Sequence, residues 1–138
     1  MSLKNLSVKI KIPKKLKEKL FNKRIKKIYK KFQNSFNIED NYIVAISGGP
    51  DSLALAFLTK IYSIKNNLRS RYFIVDHKLR KESAKEAKSV KKILKRFSIN
   101  VEILRWLGKK PIKNIQSLAR KKRYELLFSQ CKKLDIKN

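Results

Sequence analysis

The stretch YIVAISGGPDSLALAFL, residues 42–58, gathers three of the six glycines and prolines of a 138-residue chain between two apolar runs. Tyr42 to Ile46 is a short, partly β-branched apolar run that stops at a turn signal, which reads as a buried strand. Leu53 to Leu58 is apolar at every position, as in a helix covered on most sides. Between them, Ser47-Gly48-Gly49-Pro50-Asp51-Ser52 makes the turn. Glycine supplies positive φ or close backbone approach without steric cost, and Pro50 stiffens the turn. Asp51 and Ser52 suit a helix start, where free N–H groups need acceptors. A strand, a Gly-rich turn and a helix N-terminus also bring N–H groups and the positive end of a helix dipole to one place, which makes an anion site.

Lys and Arg outnumber Asp and Glu by 37 to 10, a formal charge of +27. A charge of that size favours a polyanionic partner: RNA, DNA or an acidic membrane surface. The plainer alternative is a lysine-rich compositional bias. The single cysteine, Cys131, excludes an intrachain disulfide and any multi-cysteine zinc or iron–sulfur site. No apolar run is long enough for a transmembrane helix, so no membrane is expected as a partner. No secretory h-region is visible, and the default compartment is cytoplasmic.

Outward from the opening stretch, the apolar pattern is that of alternating strands and helices. Val8, Ile10 and Ile12 alternate ahead of Pro13, as a weak strand or extended arm. From Lys14 to Phe36, apolar residues at Leu16, Leu20, Ile25, Ile28, Phe32 and Phe36 predict one basic amphipathic helix, either solvated or RNA-facing. Arg71 to Asp76 reads as a second strand, Glu82 to Phe97 as a helix, and Val101 to Trp106 as a third strand. Asn114 is a candidate N-cap for a helix to about Leu134, with an apolar stripe of Ile115, Leu118, Ala119, Leu126, Leu127, Cys131 and Leu134. The order predicts an α/β fold, a Rossmann-like parallel sheet with helices on both faces, preceded by a basic N-terminal helix. Residues 1–40 form the basic arm and helix, and 41–138 the sheet-forming portion. Ligands of such sheets sit at the carboxyl ends of the strands, where Ser47–Ser52 and Asp76–Arg80 fall.

The turn lacks the Gly-Lys-Ser/Thr end of a Walker A loop and has no G-x-G-x-x-G. It matches S-G-G-x-D-S between a strand and a helix, and on that pattern the chain resembles the PP-loop ATP pyrophosphatases. Within that superfamily, Val75-Asp76-His77-Lys78-Leu79-Arg80 followed by Glu82-Ser83 and Glu86-Ala87 resembles the V-D-H-x-L-R…S…E-A block of the tRNA(Ile)-lysidine synthetases. Ala119-Arg120-Lys121-Lys122-Arg123-Tyr124 is similar to their A-R-x-x-R-Y helix. The resemblance runs from about Tyr42 to Leu134. It implies an adenine nucleotide alpha hydrolase-like fold that uses ATP and Mg²⁺ to attach free lysine to the wobble cytidine of an isoleucine tRNA with a CAU anticodon, through an adenylated base. A fourth strand ending in an H-H-x-x-D-D-type motif follows in the family. The chain is therefore expected to be an N-terminal portion of such an enzyme, truncated after the third strand–helix unit. As a fragment it is expected to be inactive and, with one edge of the first strand open, prone to self-association.

The resemblance and the chemistry together assign candidate roles. Ser47, Gly48, Gly49, Pro50, Asp51 and Ser52 are expected to hold the nucleotide, with backbone N–H groups of Gly48 to Ser52 on pyrophosphate and the Ser47 and Ser52 hydroxyls donating to it. A carboxylate beside a triphosphate is repulsive without a cation, so Asp51 is a Mg²⁺ ligand, a helix cap, or both. Asp76 is a nucleotide-binding candidate. His77, the only histidine, is a candidate for contacting nucleotide or positioning the base. Arg80 is a phosphate-facing candidate. Arg123 interrupts an apolar stripe, and a buried guanidinium needs a partner or a bound anion. Arg120 and Tyr124, one turn apart, suit a shared ligand surface or two solvated side chains equally. Trp106 and Cys131 read as core residues. Two other readings stand beside this one: a tRNA thiolase, disfavoured by the single cysteine, and a non-catalytic basic RNA-binding module of the same fold.

Overall fold

The computed structural model describes residues 11–138. The elements are α1 (Lys14–Leu20), α2 (Lys23–Ser35), β1 (Tyr42–Ile46), α3 (Pro50–Lys65), β2 (Ser70–Asp76), α4 (Ser83–Lys95), β3 (Val101–Arg105) and α5 (Ile115–Leu134). Val8 and Ile10, part of the expected arm, lie outside the described residues. The single helix expected from Lys14 to Phe36 is two. Asn22 breaks it, its side chain accepting from the N–H groups of Arg24 (3.0 Å) and Ile25 (3.4 Å) to cap α2.

The three strands pair in parallel in the order β1-β2-β3. Ile46 lies opposite Ile74, and Asp76 opposite Arg105. Side chains alternate across a strand, so Tyr42, Val44 and Ile46 share one face with Tyr72 and Ile74. That face forms one core with Ala56 and Ile61 of α3 and Ala87, Val90 and Leu94 of α4. Leu16 of α1 and Tyr29 of α2 are buried in the same core. Phe73 is fully buried yet belongs to the opposite face, where α5 packs on β2 with Ala119 and Leu127 buried. Helices thus cover both faces, as the alternation predicts.

Two apolar segments are less covered than their composition suggests. In Leu53–Leu58 only Ala56 is fully buried, and Leu55 is exposed. Leu53, Phe57 and Leu58 instead line an apolar groove of about 380 Å³ with Ile25, Ile28 and Ile93. On α5, Ile115 and Leu118 are exposed, because the helix touches the sheet only through a narrow strip. Asn114 precedes α5 in the left-handed region (φ 55°) and makes no capping hydrogen bond, unlike the N-cap expected there. The Ile43 N–H donates to the carbonyl of Asn138 (2.9 Å), so the last residue lies against the edge of β1 that faces away from β2.

Candidate active site

A cavity of about 670 Å³ opens at the carboxyl ends of β1 and β2. Its floor is Ile46, Ile74 and Val75. Its rim brings together Ser47, Gly48, Asp76, His77, Arg80 and Arg123, residues that the sequence spreads over 77 positions. Gly49, Pro50, Asp51 and Ser52 continue the turn into α3 but do not line this cavity.

The turn is built as the sequence implies, with one redirection. Gly48 has φ +93°, and a Cβ there would stand 3.1 Å from Cγ2 of Val90 on α4. Glycine is needed for the backbone and for the close approach alike. Gly49 is the N-cap of α3 and Pro50 its first residue, where a missing N–H costs nothing. The Ser52 hydroxyl does not face outward. It accepts from the N–H groups of Ser47 (3.2 Å) and Gly48 (3.1 Å) and donates to the Gly49 carbonyl (3.0 Å). Its single proton is therefore committed, and the Gly48 N–H, one of those expected to hold an anion, is satisfied within the turn. Ser47 Oγ accepts from Gly49 N–H (3.4 Å), which leaves its own proton for the cavity. Asp51 is exposed in the first turn of α3 and makes no capping hydrogen bond in the described structure.

Asp76 closes β2 and is buried. Its Oδ1 accepts from Lys78 N–H (2.9 Å) and Ser83 Oγ (2.6 Å), while Oδ2 has no partner among the described residues. Burial alone would raise the Asp76 carboxyl pKa. The hydrogen bonds from Ser83 and Lys78, with the charges of Lys78 and Arg105, outweigh it and hold the group below the usual carboxylate range. His77 is half-buried, and its Nε2 is likewise without a partner. Burial and then the Arg123 guanidinium push its pKa down, against the opposing pull of Asp76 and the Ala119 backbone. The lowered pKa favours the neutral imidazole, and the residue lines the cavity with Nε2 itself buried.

Arg80 is exposed, and its guanidinium pairs with Glu86 of α4 at 2.9 Å. Arg123 is exposed too, contrary to the burial expected from its place in the stripe. Ala119, Arg123 and Leu127 lie on one line of α5, but the arginine falls where the cavity opens. Trp106 is buried, as expected of a core residue, and Cys131 is half-buried with its thiol pKa raised by burial. The sequence reading missed Glu86 as the partner of Arg80, Ser83 as a donor to Asp76, and Lys85 at the rim. The pairing of Arg80 with Glu86, six residues apart across a turn, carries no periodic signal. The two extended-to-helix transitions, at Ser47 and after Asp76, were the readable part.

Similarity to other proteins agrees with this geometry. Residues 17–138 match the PP-loop domain. The tRNA(Ile)-lysidine synthase of Bartonella quintana is 47% identical over 93 residues, 66% of this chain and 20% of that protein. Those of Rickettsia bellii and Rhodopseudomonas palustris are 35% identical over 118 residues and 42% over 94, covering 79% and 67% of this chain. Each of these two matches covers 27% of the relative. The chain thus spans about a fifth to a quarter of the length of these relatives. With a Gly-rich turn between β1 and α3, a cavity at the strand ends and a family match over nearly the whole chain, the chain belongs to the PP-loop domain family.

Proposed function

We propose that this chain carries the ATP-binding part of a tRNA-modifying ligase that joins lysine to the wobble cytidine of an isoleucine tRNA. The observation that carries the reading is Ser47 and Gly48, the first two residues of the S-G-G-P-D-S turn, lining the same cavity as Asp76 and His77, in a chain similar to proteins named tRNA(Ile)-lysidine synthase. In the proposed reaction the cytidine O2 attacks the α-phosphate of ATP. An O–P bond forms, the bond to the β-phosphate breaks, and pyrophosphate leaves. The ε-amine of lysine then attacks C2, the C2–O bond breaks, and AMP leaves.

The chain's own residues fit the first half. The N–H groups of Asp51 and Ser52 at the head of α3, with the helix dipole, would face the leaving pyrophosphate, where developing charge needs stabilising; those of Ser47 and Gly48 would join them if Ser52 Oγ released them. Ser47 Oγ adds a donor. Arg80 and Arg123 supply positive charge at the rim. Their exposure keeps each contribution small until substrate excludes water. The unpartnered His77 Nε2 accepts a hydrogen bond from the substrate, and neutral imidazole suits that role. The unpartnered Asp76 Oδ2 accepts from a nucleotide hydroxyl. Among the described residues no three acidic, His or Cys side chains cluster as a metal site. A Mg²⁺ ion fits here only as Mg²⁺ commonly binds nucleotides, on one carboxylate, Asp51, with phosphate oxygens and water completing its shell. Bound there, it would neutralise charge on the leaving pyrophosphate.

Calorimetry with a non-hydrolysable ATP analogue, with and without Mg²⁺, tests the reading. Binding is expected to the 138-residue chain, and Asp51→Ala should weaken it more with Mg²⁺ than without. Equal loss in both conditions would reduce Asp51 to a helix-start residue, and no binding at all would sink the nucleotide assignment.

A further inference from the structure

We infer that the outer face of α5 is a stacking surface for single-stranded RNA. Arg120, Tyr124, Phe128 and Lys132 are spaced four residues apart and so lie along one face of the helix. The Tyr124 and Phe128 rings stack, with centroids 6.0 Å apart and planes 23° from parallel. The Arg120 guanidinium lies 5.7 Å from the Tyr124 ring centroid. Phe128 is 61% exposed and Tyr124 45%. The buried side of α5 is the line of Ala119 and Leu127, so these rings lie outside the core.

An aromatic pair flanked by cations matches a strand of nucleotides, with π faces for the rings and phosphates for the cations. Charge complementarity favours a polyanion here over the same face of a second copy, because Arg120 and Lys132 would then meet like charges. Arg123, the residue before Tyr124, lines the active-site cavity. The proposed surface therefore lies beside the cavity, on the neighbouring line of the same helix. The choice of RNA over another polyanion rests on the proposed function. The stacking geometry does not.

The test compares a short single-stranded oligoadenylate with an RNA duplex of equal length, each titrated against the 138-residue chain by fluorescence anisotropy. The Tyr124→Ala/Phe128→Ala variant should bind the single strand about 10- to 100-fold more weakly. The duplex affinity should change by less than about twofold, because its bases are not free to stack on the rings. The slope of log K against log salt should stay the same for both, since no phosphate contact is lost. Phe128→Trp should keep single-strand affinity and give an emission quenched by oligoadenylate, a readout that does not depend on how the alanine variant folds. Equal losses for single strand and duplex, no loss, or no quenching would overturn the inference. So would a sharp fall in melting temperature of the alanine variant with unchanged RNA affinity, which would mark the face as a protein contact. ATP-analogue binding should be unaffected in every variant, so failure here and failure of the nucleotide reading give different results.

Discussion

Replacing Gly48 by alanine strains the turn in two separable ways. At φ +93° a Cβ meets its own backbone, at about 1–2 kcal/mol. The same Cβ would stand 3.1 Å from Cγ2 of Val90, which is nearly buried on α4 and has little room to retreat. Overpacking of this kind costs about 1–3 kcal/mol, and a single tight methyl belongs at the low end. Together the variant should lose about 2–3 kcal/mol, a large share of a typical margin of about 5–15 kcal/mol. The two parts come apart in a double-mutant cycle. Val90→Ala alone removes two buried carbons, worth roughly 1.5 kcal/mol or somewhat more. In the Gly48→Ala background it also removes the atom that the new methyl strikes. The double variant should therefore be about 1 kcal/mol more stable than the sum of the single changes predicts, and the φ strain should remain. Urea melts of the four proteins measure this. Additivity within about 0.3–0.5 kcal/mol would refute the contact. A Gly48→Ala protein as stable as the parent would refute the positive φ as well.

Two other predictions concern pH and assembly. The folded-state pKa values of Asp76 and His77 are both lowered, so the unfolded chain binds their protons more readily and stability rises with pH across each window. The His77 contribution should be complete above about pH 6.5 and that of Asp76 above about pH 4, each lost as pH falls through the folded value. Urea melts at a series of pH values should show His77→Gln flattening the upper window and Asp76→Asn the lower one, and unchanged slopes would contradict the packing described for the pair. The outer edge of β1 is the second case. Among the described residues, Ala45 N–H and C=O point away from β2 without a partner, and only Ile43 is met there, by Asn138. An open edge beside apolar side chains should give concentration-dependent self-association in sedimentation, and a strictly monomeric chain with a sharp melt would refute that.

The order of strands and helices was legible because each strand is a short apolar run stopped by turn residues and each helix has a periodic apolar face. The details that escaped are those set by contacts distant in sequence. Leu20 and Ile25 are five residues apart, one more than a helical step, and this was the only trace of the break at Asn22. Arg123 sits on the same helical line as Ala119 and Leu127, so periodicity alone buries it; only the position of the cavity exposes it. The need for glycine at position 48 was readable from the turn, but its second cause, Val90 on α4, is 42 residues away. Within the site, Ser47 and Gly48 meet Asp76, His77 and Arg80 at the two strand ends, while Gly49 to Ser52 lie off the cavity. The partners that orient them, Ser83 on Asp76 and Glu86 on Arg80, depend on how the loop after β2 folds back onto α4.

The Ser52 hydroxyl links these constraints to binding. In the structure it holds the N–H groups of Ser47 and Gly48, so the turn keeps its shape without leaving those donors unsatisfied. Both bonds are neutral and somewhat long. A phosphate oxygen offers the same donors a charge-assisted bond, roughly twice as strong. For a bound anion, rotation of the Ser52 side chain alone would exchange the two arrangements, while the φ of Gly48 and the close approach of Val90 keep the backbone in place. After that exchange the Ser52 proton, committed to the Gly49 carbonyl in the structure, becomes available to the anion. On the proposed function, the turn would meet a polyphosphate with its backbone already ordered, and the ordering entropy that weakens a flexible loop's affinity would have been met in folding. The rigidity that makes Gly48 hard to replace and the anion affinity proposed for the turn then share one structural cause.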